Sequence, residues 1–384
     1  MRRLSLAFFI VVAGSGHLFA QATATINGRI VDQAGAVLPG VTITVTNTGT
    51  RVPRTTVSNA EGLYSIPALE RGIYDLQAEL AGFATATRKA VELLTGSTIS
   101  ADFSLGIAQL EETLTVQGQS PVVEASRATL SSTIRQTEVA QLPMLNRSLA
   151  AMITLLPGAR EVPTSGAHGH AASYVSFGGG AGRNYAMLVD GAENKEDHDG
   201  GTTMVYSLEG VEEFKALTSS FTAEYGKAAT VIVLATKSGT NLIRASVFGY
   251  GRNESLIATD YFSKRENGGQ GKQPFKRIQF GGSVGGPILK DRAWFFGSIE
   301  RVHQDFVLPR PDNLVQQLRY VEALNIGAVA SQSISQPFRD LLGQVKVNVQ
   351  LSPNHSAFVR AATQNGYVDN GAVNTGRSRS RHAH

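Results

Sequence analysis

RIQFGGSVGG, residues Arg277 to Gly286, decides how the second half of this 384-residue chain is read. Ile278, Phe280 and Val284 share one parity, with Gly282 between them, while Arg277, Gln279 and Ser283 hold the other. Successive side chains of a strand point to opposite faces, so this is a strand with one apolar face. ASVFGYGRN (245–253), AWFFGSIERV (293–302), GQVKVNVQL (343–351) and HSAFVRAAT (355–363) repeat the pattern. Alternating segments of about ten residues with aromatic ends are the signature of a transmembrane β-barrel. A soluble antiparallel sheet alternates in the same way, so periodicity alone leaves both readings open.

The chain begins MRRLSLAFFIVVAGSGHLFAQATA. Arg2 and Arg3 form a positive head, Leu4 to Ala13 is apolar apart from Ser5, and Ala20-Gln21-Ala22 is a small-x-small cleavage site. Residues 1–22 therefore read as a secretory signal peptide, too short to span a bilayer. The absence of cysteine rules out disulfides, thiolate metal sites and a lipid anchor on Cys. The formal charge of +4 is concentrated at the ends, in Arg2 and Arg3 and in the terminal Arg377, Arg379 and Arg381. It makes no case for nucleic acid as a partner.

Residues 24–106 read as short strands with turns every eight to twelve residues, the pattern of a small β-sandwich. VTITVTN sets Val41, Ile43 and Val45 against Thr42, Thr44 and Thr46, and Leu38-Pro39-Gly40 and Asn59-Ala60-Glu61-Gly62 supply turns. In residues 120–240, EVAQLPMLNRSLAAMITLLPGA reads as a short helix between prolines, NYAMLVDG as a strand, LEGVEEFKAL as helix-like and VIVLATKSG as a strand. That alternation predicts a compact α/β domain. The whole is multidomain and mainly β.

EFKALTSSFTAEYGKAATVIVLATKSGTN, with LVDGAEN before it and QFGGSVGGPILKDRAWFFGSIE after it, resembles TonB-dependent outer-membrane receptors. The likeness is to the subgroup with an N-terminal carboxypeptidase-regulatory-like domain, and it runs from residue 25 to about 365. The resemblance implies a transthyretin-like sandwich over 24–106, a linker over 107–119, and an α/β plug over 120–240. The first strands of an outer-membrane β-barrel would follow over 241–365, and 366–384 would be a disordered or aberrant tail. It also implies TonB, outer-membrane lipid and a bulky solute such as a siderophore or oligosaccharide as partners, with no enzyme activity and no cofactor.

The linker holds EETLTVQG. Glu111, Glu112, Thr113, Leu114, Thr115 and Val116 resemble a TonB box, an unpaired strand-former that a partner captures by β-augmentation. The other reading makes it a last strand of the sandwich, paired with DFSLG. On the plug, Arg183, Asn184 and Tyr185 of GGGAGRNYAM and Asp197, His198 and Asp199 of ENKEDHDGG are candidates for solute contact, because family members build their pocket from outer plug loops. The carboxylates of ENKEDHDGG do not follow Ca²⁺-loop spacing. His168 and His170 lack a third metal ligand nearby, and no histidine is followed three residues later by Glu. Ser283 fits G-x-S-x-G, but a nucleophile elbow needs a helix after it, and GPILKDRAWFFG begins none. Glu224, Tyr225, Gly226, Lys237, Ser238 and Gly239 match the family most strongly, and a docking role against the barrel interior is expected of them.

Five barrel-like strands cannot close, and a lipid-embedded sheet needs closure. The terminal GRSRSRHAH fits no strand and reads as frameshifted or cut from a longer chain. The competing class is a secreted or surface binding protein whose sandwich holds carbohydrate or a protein, although Tyr64 and Tyr74 fall on core parity and leave no aromatic platform.

Overall fold

The structure is a computed structural model that describes residues 23–107, 114–115, 130–135, 138, 147, 149–162, 174–177, 185–195, 202–219, 228, 230–258, 272, 274–310, 312–325, 330–331, 333–369 and 379–383. Residues 1–22 and, apart from Leu114 and Thr115, residues 108–129 lie outside these.

Nine strands form the first unit. They are β1 (Ala24–Asp32), β2 (Thr42–Asn47), β3 (Pro53–Val57), β4 (Leu63–Leu69), β5 (Gly72–Glu79), β6 (Ala86–Leu93), β7 (Thr98–Ser100), β8 (Phe103–Leu105) and β9 (Leu114–Thr115). One sheet runs β4-β1-β7, with β8 also on β1; the other runs β3-β2-β5-β6-β9. The alternation in VTITVTN becomes the core, since Val41, Ile43 and Val45 are fully buried against Ile26, Ile30 and Leu76. Tyr64 and Tyr74 are buried too, and each hydroxyl is satisfied by a backbone carbonyl, of Ala101 at 2.6 Å and of Glu70 at 2.7 Å. This accounts for the missing aromatic platform.

The second unit is built on β10 (Leu130–Arg135), a short helix α1 (Leu149–Ile153), the hairpin β11 (Ala159–Val162) and β12 (Tyr174–Phe177), β13 (Tyr185–Val189), β14 (Ala192–Glu193), β15 (Val211–Ser219) and β16 (Thr230–Thr236). Its sheet has the order β10-β15-β16-β13-β14, parallel only between β13 and β16. The helix expected over LEGVEEFKAL is corrected: Leu208–Gly210 is one 3-10 turn, and Val211–Ser219 is a strand. The register shifts between Val211 and Glu213, which places Val211 and Phe214 in the same core at helical spacing, and that spacing reads as a helix. Phe214 and Ala216 enter the apolar core, while Glu213 and Lys215 are buried against the sandwich.

The third unit is a wall. Strands β17 (Arg244–Asn253), β18 (Phe275–Leu289), β19 (Ala293–Pro309), β21 (Phe338–Ser352), β22 (His355–Asp369) and β23 (Arg379–Ala383) pair antiparallel in that order. Helix α2 (Asp312–Ala323) and β20 (Ser333–Ser335) interrupt the connection from β19 to β21. Two expectations are corrected here. β22 continues to Asp369, and Arg379–Ala383 pairs with Asn365–Asp369 instead of lying in a structureless tail. A ladder is made by backbone groups, so the open edge of β22 accepts a strand whose side chains carry no barrel pattern.

The burial of this wall separates the two readings of the opening stretch. On β21 the buried parity is Phe338, Asp340, Leu342, Gln344, Lys346 and Asn348, and the exposed or half-exposed one is Arg339, Leu341, Gly343, Val345, Val347 and Val349. On β18 Arg277 and Gln279 are buried while Ile278, Phe280 and Val284 are exposed. A soluble sheet hides its apolar face. This one hides its polar face against the second unit and turns the apolar face outward, as a barrel strand in lipid does.

Candidate functional site

The polar inner face of the wall holds the second unit through several contacts, of which three carry buried or half-buried charge. The first starts from LVDG, where β13 ends. Asp190 adopts a positive φ of 47°, which aims its carboxylate at the wall. It accepts hydrogen bonds from the Thr236 amide at 2.9 Å and the Thr236 hydroxyl at 2.5 Å. Lys346 Nζ stands 3.2 Å away and Arg360 Nε 3.4 Å, and the Asp190 and Lys346 side chains are each 1 % exposed. Arg360 also donates to the Tyr206 hydroxyl at 2.6 Å and the Val189 carbonyl at 3.1 Å. Buried charges of this kind are tolerated only when paired and hydrogen-bonded, and these are both.

The second contact centres on Glu300, which accepts from Ser207 Oγ at 2.5 Å and from the Gln279 amide. Beside it Gln344 Nε2 donates to the Gly210 carbonyl at 3.0 Å. The third is Glu209, which accepts from Ser246 and Ser283 (3.2 Å) and pairs with Lys237 at 3.4 Å. Burial pushes the Glu209 carboxyl up, but the hydrogen bonds from Ser246 and Ser283 and the Lys237 charge outweigh it and hold the group below the usual carboxylate range. Ser283 is thus occupied by a carboxylate, and it lies mid-strand on β18 with no helix behind it.

Gly239 approaches the wall closely, whereas Lys237 pairs with Glu209 within the second unit. A Cβ at Gly239 would meet the Phe295 carbonyl at 2.3 Å and the Gly286 carbonyl at 2.8 Å, so only glycine allows the backbones this close. Glu224, Tyr225 and Gly226 lie outside the described residues.

The sandwich is docked as well. The Thr95 amide donates to both oxygens of Glu213, at 3.2 and 3.0 Å, and its hydroxyl donates at 3.1 Å. Lys215 Nζ reaches the Thr95 carbonyl at 3.4 Å, and Arg71 donates to the Thr236 carbonyl. Asn241 joins sandwich and wall, with its amide on the Thr50 carbonyl (2.9 Å) and Asp291 (2.7 Å), and its oxygen accepting from Trp294 Nε1 at 2.8 Å. Between the three units lies a polar cavity of about 400 Å³, lined among others by Thr48, Arg71, Glu92, Arg135, Glu212 and Arg244.

The expected site residues fare unevenly. Tyr185 is buried in the plug-like core with Met187 and Val189, so its placement is that of a packing residue. Arg183, Asn184, Asp197, His198 and Asp199 lie outside the described residues, as do Glu111, Glu112, Thr113 and Val116. Leu114–Thr115 is present as β9, paired parallel with Ala86 and Thr87 of β6, so this pair extends a sandwich sheet. Its partner is β6 and not the DFSLG strand. The residues that sequence reasoning passed over are Asp190, Lys346 and Arg360. A lysine on the inward parity of V-K-V-N-V was the available signal, because it demands an acid across the interface.

Comparison with known proteins agrees with this architecture. Residues 25–106 match the carboxypeptidase regulatory-like domain, and residues 235–310 match an outer membrane β-barrel domain. The two matches fall on the sandwich and on the first strands of the wall, and the wall belongs in the cell outer membrane. It resembles the TonB-dependent transporters: it is 28 % identical over 303 residues to the TonB-dependent transporter Oar of Myxococcus xanthus, covering 74 % of this chain and 28 % of that protein. The chain thus spans little more than a quarter of that relative. Solved structures with partial likeness include the outer membrane transporter YddB from Escherichia coli (TM-score 0.48, 13 % identity, 62 % of this chain and 33 % of that one). The siderophore receptor PirA from Acinetobacter baumannii is another (TM-score 0.41, 15 % identity, 62 % and 32 %). The matched relative is a transporter rather than an enzyme.

Proposed function

We propose that the chain is the N-terminal portion of a TonB-dependent receptor that takes up a bulky solute and is driven by TonB through the 111–116 segment. In this reading residues 130–240 are the plug, the wall is part of the barrel around it, and the sandwich sits on the periplasmic side. The observation that carries the reading is the inverted wall, polar inside and apolar outside, closed on the plug by the Asp190–Lys346–Arg360 contact. No step of bond chemistry is involved: the plug is held by polar contacts, and a mechanical pull releases them. The two-residue ladder at β9 fits a captured segment, because two residues of parallel pairing contribute only about 1–2 kcal/mol net. A partner that offers a longer edge outcompetes it.

Titration of a TonB C-terminal domain against the full chain and against a peptide of residues 109–120 tests the assignment. Saturable binding of both, lost when Leu114 and Val116 are both changed to Pro, is expected. No binding at high micromolar concentration refutes the box. Heat-modifiable gel mobility and detergent-dependent extraction test the wall separately, since a soluble sandwich protein displays neither.

A further inference from the structure

The chain enters the sandwich at the joint between the units. β1 begins at Ala24, which lies opposite Leu69 on β4, and the Thr25 amide donates to the Ser97 carbonyl at 2.9 Å. Two stretches therefore flank the residue before β1: Glu70 and Arg71, which follow Leu69, and the turn from Leu94 to Ser97 that precedes β7. Thr95 in that turn is the residue that holds Glu213 of the second unit. Thr23 accordingly lies exposed on the lining of the polar cavity between the units, together with Glu70, Glu92, Glu212 and Glu213.

Not every polar group around this cavity finds a partner. Glu213 is taken by Thr95, Glu92 by Arg135 at 3.7 Å, and Asp190 by Lys346 and Arg360. Arg244 is exposed. Glu70 and Glu212, both half-buried, make no side-chain hydrogen bond and no ion pair within 4 Å among the described residues. Across the cavity Asn348 is only 5 % exposed, and its buried Oδ1 accepts no hydrogen bond. Asn348 and Glu70 also line a smaller pocket of about 40 Å³ beside Trp294, so the two acceptors face one space. Arg71 donates through Nη2 to the Thr236 carbonyl, while its buried Nη1 has no acceptor. Buried polar groups left in this way call for an occupant that carries charge and offers both donors and an acceptor.

The residue at the cavity's edge becomes such an occupant when the chain is processed. While Ala22 is attached, the Thr23 nitrogen is an amide with one N–H and no charge. Hydrolysis of the Ala22–Thr23 bond consumes one water, leaves a carboxylate on Ala22 and gives Thr23 a primary amine. Below its ordinary pKa of about 7.7–8.0 that amine is an ammonium with three donors, and the threonine hydroxyl beside it is an acceptor. We propose that the Thr23 α-ammonium of the processed chain is a ligand of this cavity, paired with Glu70 of the sandwich and Glu212 of the second unit. Removal of residues 1–22 thereby adds a charged clasp to the joint. It rests on the signal-peptide reading of residues 1–22 and is independent of what the protein takes up. The pairing raises the amine's pKa, so the stability it adds is complete below the unfolded value and fades as pH rises through the folded one.

The test compares the processed chain, residues 23–384, with a chain of residues 20–384, whose three extra residues carry the ammonium about 10 Å away. Both are refolded in a neutral detergent, and folding is followed through Trp294 fluorescence. Acylation of the α-amine by a limiting amine-selective ester at pH 7 is then quantified on the terminal peptide by mass spectrometry. The 23–384 chain is expected to react about tenfold more slowly, the effect of one pKa unit on the free amine. Glu70→Gln/Glu212→Gln should bring its rate to within about twofold of the extended chain, and Glu70→Gln alone should recover part of it, which guards against a double variant that fails to fold. Equal rates for the two chains, or a slow rate that survives in a folded variant, would each overturn the clasp. Sequencing the amino terminus of the exported chain separates the two failures. A terminus other than Thr23 removes the cleavage reading and the clasp with it, whereas a Thr23 terminus of ordinary reactivity removes the clasp only.

Discussion

Changing Asp190 to Asn keeps the shape of the side chain and its bond from the Thr236 amide, turns the Thr236 hydroxyl from donor to acceptor, and removes the charge between Lys346 and Arg360. Lys346 is 1 % exposed and has no water to turn to. Breaking a buried pair from one side costs about 3–5 kcal/mol, because the surviving charge remains desolvated. Arg360 moderates the loss, since Tyr206 and the Val189 carbonyl still hold its guanidinium. Asp190→Asn should therefore cost about 3 kcal/mol, and Lys346→Met less, about 2 kcal/mol, because Arg360 still pairs with the carboxylate. The double variant Asp190→Asn/Lys346→Met, a neutral pair of similar volume, should cost clearly less than the sum of the two, because neither change then strands the other's charge. Urea titration of the full chain in micelles reports this through Trp294, the single tryptophan, which is buried where plug, wall and sandwich meet. Additive single effects, or singles below about 1 kcal/mol, would refute the argument, for then the pair is either wet or not a contact between plug and wall.

Three further outcomes are expected. Because Glu209 is held below its ordinary pKa, its stabilising contribution is complete above the unfolded carboxylate pKa and is lost as pH falls through the lower folded value; urea midpoints between pH 6 and 3 should drop less steeply in Glu209→Gln than in the parent. Gly239→Ala drives a Cβ into two wall carbonyls and should cost more than about 3 kcal/mol, whereas Gly210→Ala meets the movable Gln344 amide and should cost less; equal losses would contradict the close approach. Glu213→Ala removes three hydrogen bonds to Thr95, so hydrogen exchange at the Thr95 amide should accelerate by at least about tenfold, and unchanged exchange would mean that the sandwich is held elsewhere.

How much of this was legible from the residues depended on what each strand faced. The sandwich and the long wall strands each touch two unlike environments, so their parity is written in the sequence, as in VTITVTN and RIQFGGSVGG. Parity alone could not tell which face was hidden, and only the burial of Gln279, Lys346 and Asn348 against another unit settled that. β15 was misread because the register shift between Val211 and Glu213 breaks its parity and puts Val211 and Phe214 in one core at helical spacing. β23 was missed because its ladder depends on the neighbour's backbone and on nothing in R-S-R-H-A. The Asp190 contact joins residues more than 150 positions apart, and no local pattern links an acid on a turn to a lysine between valines.

The joint at Glu213 gives the linker an unusual mechanical boundary. The chain leaves the sandwich after β8 and enters the plug at β10, whose last residue, Arg135, lies opposite Glu213 on β15. Thr95 of the sandwich grips that same Glu213. Yet the linker enters β10 at Leu130, opposite Ser219, and leaves the sandwich well after Thr95, so a tug on the residues between loads the ends of β8 and β10 before it reaches Glu213. Behind those strand ends sandwich and plug are joined at several points, Glu213 and Lys215 to Thr95 and Arg71 to Thr236, so fraying of the strand ends should come before the two units part.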